Sequence, residues 1–125
     1  MTLDLVVLPG VLAVCRIAAG SPVPGWVEGD TLVSVTRTAE ELSIVCDASA
    51  VPETVTAESG WRAIQVSGPL EFGLTGVLSS LAGPLAAAGV PIFALSTFDT
   101  DYILVKETAL AEAVAVLSAA SHRIR

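Results

Sequence analysis

Residues 32–45, LVSVTRTAEELSIV, lie on residues 92–105, IFALSTFDTDYILV, at a shift of sixty positions with no gap. Val33 then meets Phe93, Val35 meets Leu95, Glu41 meets Asp101, Ile44 meets Leu104 and Val45 meets Val105. Each copy reads as a strand, a short connection with an acidic end, and a second strand. A self-match of this kind calls for two units built on one supersecondary plan. In the first half, apolar β-branched runs predict strands at 31–37 and 42–47, joined by Thr38-Ala39-Glu40-Glu41. In the second they predict strands at 91–97 and 101–106, joined by Phe98-Asp99-Thr100. Ahead of each pair stands another strand, 11–17 and 61–67, with further strands at 3–8 and 54–58.

Helical segments complete the plan unevenly. Leu74, Val77, Leu78, Leu81 and Leu85 recur at helical spacing and predict a helix over 74–88. A last helix is predicted over 108–121, with Thr108 as N-cap and Leu110, Ala113, Val114 and Leu117 on one face. The first half offers only the turn-rich GSPVPGWVEGD of 20–30, with room for one helical turn. The expected fold is α+β: two tandem ferredoxin-like βαββαβ units, the first with reduced helices. The expected domains are 1–60 and 61–125, a compact pair able to exchange the N-terminal strand. A sheet with so little helix over it must be covered by the other half or by a second chain.

Composition narrows the function. The chain has 125 residues, 53% of them hydrophobic and 15% charged, with a net charge of −7. It holds enough apolar surface for a core, which excludes disorder. Five Arg and one Lys lie scattered, so no basic stripe exists for nucleic acid or an anionic membrane. Mean hydropathy is +0.74, and residues 72–98 carry no charge, long enough to span a bilayer. Gly83-Pro84, Gly89 and Pro91 break that run, and much of it is Ala, Gly, Ser and Thr. It reads as an amphipathic helix followed by a buried strand. The N-terminus has an Asp and no basic residue before its apolar stretch, unlike a secretory signal. Cys15 and Cys46 sit in strand-like runs and read as buried thiols of a reducing cytoplasm, with a disulfide as the alternative.

No enzyme motif is present. The single His leaves no zinc set and no nucleophile–base pair, and the glycines at 68, 73 and 76 precede no phosphate-loop Lys. Asp99 and Asp101 are two carboxylates without an obvious third metal ligand, so no catalytic residue, metal or cofactor is expected. The more suggestive pattern is geometric. Thr75-Gly76 opens the apolar helix, whose free N–H groups suit a carboxylate. Asp101, starting the neighbouring strand, suits an amine or guanidinium. Together they describe an amino-acid pocket, while Gly76 also fits a packing glycine and Asp101 a solvated strand end.

Leu74-Thr75-Gly76-Val77, Gly89-Val90-Pro91-Ile92 and above all STFDTDYILV at 96–105 resemble the ACT-domain family that includes the CASTOR-type arginine sensors and their small bacterial relatives. SVTRT…ELSIVCD at 34–47 extends the resemblance over nearly the whole chain. It implies a non-enzymatic regulatory protein with an amino acid bound between two ACT units. Pro91 and Ile92 would meet the α-amino and α-carboxylate groups from one side, and Thr75, Gly76 and Val77 would face the ligand from the other. The carbonyls of Thr97 and Phe98, with the Asp101 carboxylate, would hold a guanidinium. The sensors carry four ACT units and this chain two, so the resemblance implies a homodimer with a shared pocket. Pro91 has no N–H to donate, and arginine itself rests on the resemblance alone. A dimerisation module with a vestigial pocket is the competing reading.

Overall fold

The computed structural model describes all 125 residues. The elements run β1 (Asp4–Val7), β2 (Leu12–Ala18), β3 (Ser34–Arg37), β4 (Glu41–Asp47), β5 (Thr56–Val66), α1 (Val77–Ala87), β6 (Phe93–Ser96), β7 (Asp101–Lys106), α2 (Leu110–Ala119) and β8 (Arg123–Ile124). The architecture is α+β, as the sequence predicts. The strands expected at 54–58 and 61–67 are one strand, β5, which passes through Gly60 at φ +82°. The uncharged run at 72–98 holds a loop, α1 and β6, and no helix is long and apolar enough to cross a membrane.

The two hairpins of the repeat share one turn. Arg37 pairs with Leu42 and Ser96 with Asp101, each pair closing four residues that begin with Thr. The Thr38 N–H donates to the Glu41 carbonyl at 2.9 Å, and the Thr97 N–H to the Thr100 carbonyl at 2.8 Å. Thr38 therefore corresponds to Thr97, an offset of 59 where the gapless sequence match gives sixty. The difference matters because one residue of slip exchanges the faces of a strand. Ile44 corresponds to Ile103 and Cys46 to Val105, and all four are buried.

The chain divides into two compact units, residues 9–61 and residues 1–8 with 62–125. In the smaller unit the strand order is β3-β4-β2-β5, antiparallel throughout. No α-helix forms there. Residues 20–30 make only turns, and Ala48–Ala50 supplies a short 3-10 helix instead. The role of a helix layer falls to Trp26, Val27, Val51 and Val55, which pack on Ala13, Cys15, Leu42, Ile44 and Cys46. Cys15 and Cys46 are buried free thiols on adjacent strands.

In the larger unit, β7 pairs with β5 and β6, β1 lies antiparallel to β5, and β8 lies parallel to β1. α1 and α2 cover one face, with Val77, Leu81, Leu85, Ala113 and Leu117 meeting Leu5, Ile64, Val66, Ile103 and Val105. Leu74 and Leu78, expected on that face, are exposed instead. α1 starts at Val77, so its inward row is Val77, Leu81 and Leu85, and Leu74 lies in the loop ahead of it. In α2, Val116 takes the core place expected for Val114. Thr108 is not an N-cap: Glu107–Ala109 is a 3-10 turn and Ala109 precedes the helix. His122, between α2 and β8, ties the start of the chain to α1. Its Nδ1 accepts from the Leu3 N–H at 3.1 Å, and its Nε2 stands 3.1 Å from the Ser80 carbonyl in α1.

Candidate functional site

The site is built where three pieces of the larger unit meet: the loop from β5 to α1, the first turn of α1, and the β6–β7 turn. Backbone and hydroxyl hydrogen bonds hold the turn to the loop. Leu70 N–H donates to the Asp99 carbonyl at 2.7 Å, and the buried Thr100 hydroxyl donates to the Val66 carbonyl at 2.6 Å. The approach favours glycine at position 68, where a Cβ would stand 3.0 Å from the Asp99 oxygen and 3.1 Å from the Thr100 Cβ, tighter than most such contacts. Gly76, at φ +82°, makes the left-handed step from which α1 departs.

Between these pieces lies a cavity of about 230 Å³. Its walls are Leu70, Glu71, Phe72, Leu74 and Val77 on one side and residues 96–101 on the other. No side chain caps the N-terminus of α1, and its first turn holds no acidic residue. That end keeps the partial positive charge that attracts an anion. Opposite in character, Glu71, Asp99 and Asp101 line the same cavity, and no Lys, Arg or His does. Asp101 is held in place: its Oδ1 accepts a 2.6 Å hydrogen bond from the Ser96 hydroxyl, its cross-strand partner.

Of the residues singled out from sequence, Val77, Thr97, Phe98 and Asp101 line this cavity. Thr75 and Gly76 are exposed in the loop between two lining residues, Leu74 and Val77. Pro91 and Ile92 lie elsewhere, just before β6; Pro91 is exposed and Ile92 packs against the core. Glu71, Phe72 and Ser96 also line the cavity, and nothing in the sequence marks them as ligand contacts. The pairing of Ser96 with Asp101 follows from the hairpin register, but the place of Phe72 depends on a loop with no periodic signal. Its ring meets that of Phe98 edge to face, centroids 4.7 Å apart. A second cavity, about 260 Å³, lies in the smaller unit among Pro9, Gly10, Val11, Asp30, Thr31, Asp47 and Ser49, and contains none of the predicted residues.

A family profile described as an ACT domain matches residues 56–119, and one for an N-terminal domain matches residues 10–54. The human protein named "Cytosolic arginine sensor for mTORC1 subunit 1" is 33% identical over 108 residues, covering 80% of this chain and 32% of that protein. The chain thus spans about a third of the length of this curated relative. Among solved structures, protein Atu0741 from Agobacterium tumefaciens is 36% identical at a TM-score of 0.94, covering 100% of this chain and 93% of that one. The aspartate kinase of Clostridium acetobutylicum, 10% identical, shares the fold at a TM-score of 0.68, over 95% of this chain and 35% of its own.

Proposed function

The chain belongs to the ACT-domain family, and we propose that it is a regulatory protein that binds an amino acid with a cationic side chain, between the larger units of two copies, without catalysing a reaction. The observation that carries this reading is the pairing of opposite charges around one cavity. The uncapped start of α1 suits an α-carboxylate, and Asp101, steadied by Ser96, suits a guanidinium or ammonium. Thr97 and Phe98 border the same space, and their carbonyls would add acceptors but no charge. Thr75 and Gly76 bring the loop backbone near the ligand. Pro91 and Ile92 of the second copy would supply the opposite wall, which accounts for their absence from the cavity of a single chain. The likeness to an arginine sensor supports arginine as the first ligand to try. The same likeness, with no membrane-spanning helix, supports a cytoplasmic protein.

Calorimetric titration of the wild type and of Asp101→Ala with L-arginine, L-lysine and L-ornithine tests the reading. Binding by the wild type and loss of roughly tenfold or more in Asp101→Ala, with an unchanged circular dichroism spectrum, is the expected result. Equal affinity in the two proteins would remove Asp101 from the site.

A further inference from the structure

A basic amino acid carries three charged groups, and the binding mode proposed above provides for two of them. The uncapped start of α1 takes the α-carboxylate, and Asp101 takes the side-chain cation. The α-ammonium is left over, and Pro91 and Ile92 of the second copy carry no charge to meet it. Two more carboxylates line the cavity, those of Glu71 and Asp99. Both residues are exposed, and neither carboxylate takes a hydrogen bond or an ion pair from the chain. Asp101, by contrast, is steadied by Ser96, and Asp4 is paired with Arg123. An unpaired carboxylate on a cavity wall is open to a cation from outside.

The covalent structure of the ligand chooses between Glu71 and Asp99. The α-ammonium and the α-carboxylate hang from one carbon, so the groups that meet them must stand on one wall. Glu71 and the start of α1 do so, at the two ends of the loop 71–77, across the cavity from residues 96–101. The backbone around Glu71 is fixed: the Leu70 N–H donates to the Asp99 carbonyl at 2.7 Å, and the Leu74 N–H to the Glu71 carbonyl at 3.0 Å. Asp99 stands on the other wall, two residues from Asp101, on the side of the side-chain cation. Resting on that binding mode, we infer that the Glu71 carboxylate takes the α-ammonium and so restricts the site to free basic amino acids. A guanidino acid with hydrogen in place of the amino group keeps both other charges but brings no cation to Glu71. A basic residue inside a peptide chain has an uncharged amide at that nitrogen and fails in the same way. Polyamines fail at the other end, since they bring no carboxylate to the start of α1.

Calorimetric titration of the full chain with two ligands tests this. One is L-arginine, and the other is 5-guanidinopentanoate, which is arginine with hydrogen in place of the α-amino group. The wild type is expected to prefer arginine roughly tenfold or more, the scale of a hydrogen bond between charged groups. Glu71→Gln keeps the size of an exposed side chain and removes its charge. It should weaken arginine by about that factor and leave 5-guanidinopentanoate as it was, so that the preference is lost. Asp99→Asn removes the same charge from the same cavity and should keep the preference, which separates direct pairing from the general field of the carboxylates. Three results overturn the role of Glu71 while the binding reading stands: a wild type that binds both ligands alike, a Glu71→Gln variant that keeps the preference, or an Asp99→Asn variant that loses it as fully. If arginine, lysine and ornithine give no heat with the wild type, the binding reading itself fails, and the role of Glu71 with it.

Discussion

Gly68 is the residue on which the shape of the site most depends. Its missing Cβ lets the β5–α1 loop lie against the β6–β7 turn, where the Asp99 oxygen would stand 3.0 Å from an added carbon. A backbone oxygen gives way less easily than the end of a side chain. Gly68→Ala should cost about 1–3 kcal/mol, the scale of a tightly packed site forced to open. Urea unfolding measures that cost, and a midpoint equal to wild type would show the turn is free to shift. In the smaller unit the telling residue is Cys15. Burial, with Cys46 beside it, pushes its thiol up from 9.0 to about 11. The folded state favours the neutral thiol, so this contribution is complete below pH 9 and is lost as pH rises from 9 to about 11. Cys15→Ala should be less stable at neutral pH, from the small void it leaves, yet lose less across that alkaline window. Urea midpoints at the two ends of the window test this, and parallel losses would contradict it.

At the scale of elements, the fold is held by connections that differ in how visible they are in sequence. The two hairpins were legible because strand, turn and strand recur, and Thr38 and Thr97 carry the same turn bond. Their offset is 59 and not the sixty of the letter match, since matching apolar letters cannot tell which face of a strand each letter occupies, and only the turn closure does. Helix α1 was legible from Val77, Leu81 and Leu85, but Leu74 and Leu78 fit the same spacing and still face outward. Periodicity finds a stripe and not the limit of what covers it. In sequence His122 is a lone histidine without catalytic company. In the fold it ties the residue before β1 to α1, through Leu3 and Ser80. His122→Ala leaves a buried N–H and a carbonyl without that partner and should cost about 1–3 kcal/mol, read from the urea midpoint. Faster hydrogen exchange at Leu3 should accompany it, and unchanged exchange there would show that the clip is dispensable.

At the scale of the whole molecule, the surplus of apolar residues has an address. The uncharged stretch at 72–98 was long enough for a bilayer, and it instead forms one side of a cavity, a helix and an edge strand. Its charged neighbours, Glu71 and Asp101, with Asp99, line that cavity. Composition offers no basic stripe for nucleic acid, and family resemblance could nominate Asp101, Thr97, Phe98 and Val77. Neither could say that Phe72 meets Phe98 or that Ser96 orients Asp101, because both depend on a loop and a register that fold into place together. Whether this cavity takes an amino acid is read from the melting temperature of the chain against each of the twenty amino acids at millimolar concentration. A ligand present at a hundred times its dissociation constant stabilises the fold by about 2.7 kcal/mol, which raises the melting temperature by several degrees. Basic amino acids should give such a rise and acidic ones a flat response; a flat response across all twenty would mean that the cavity takes no amino acid.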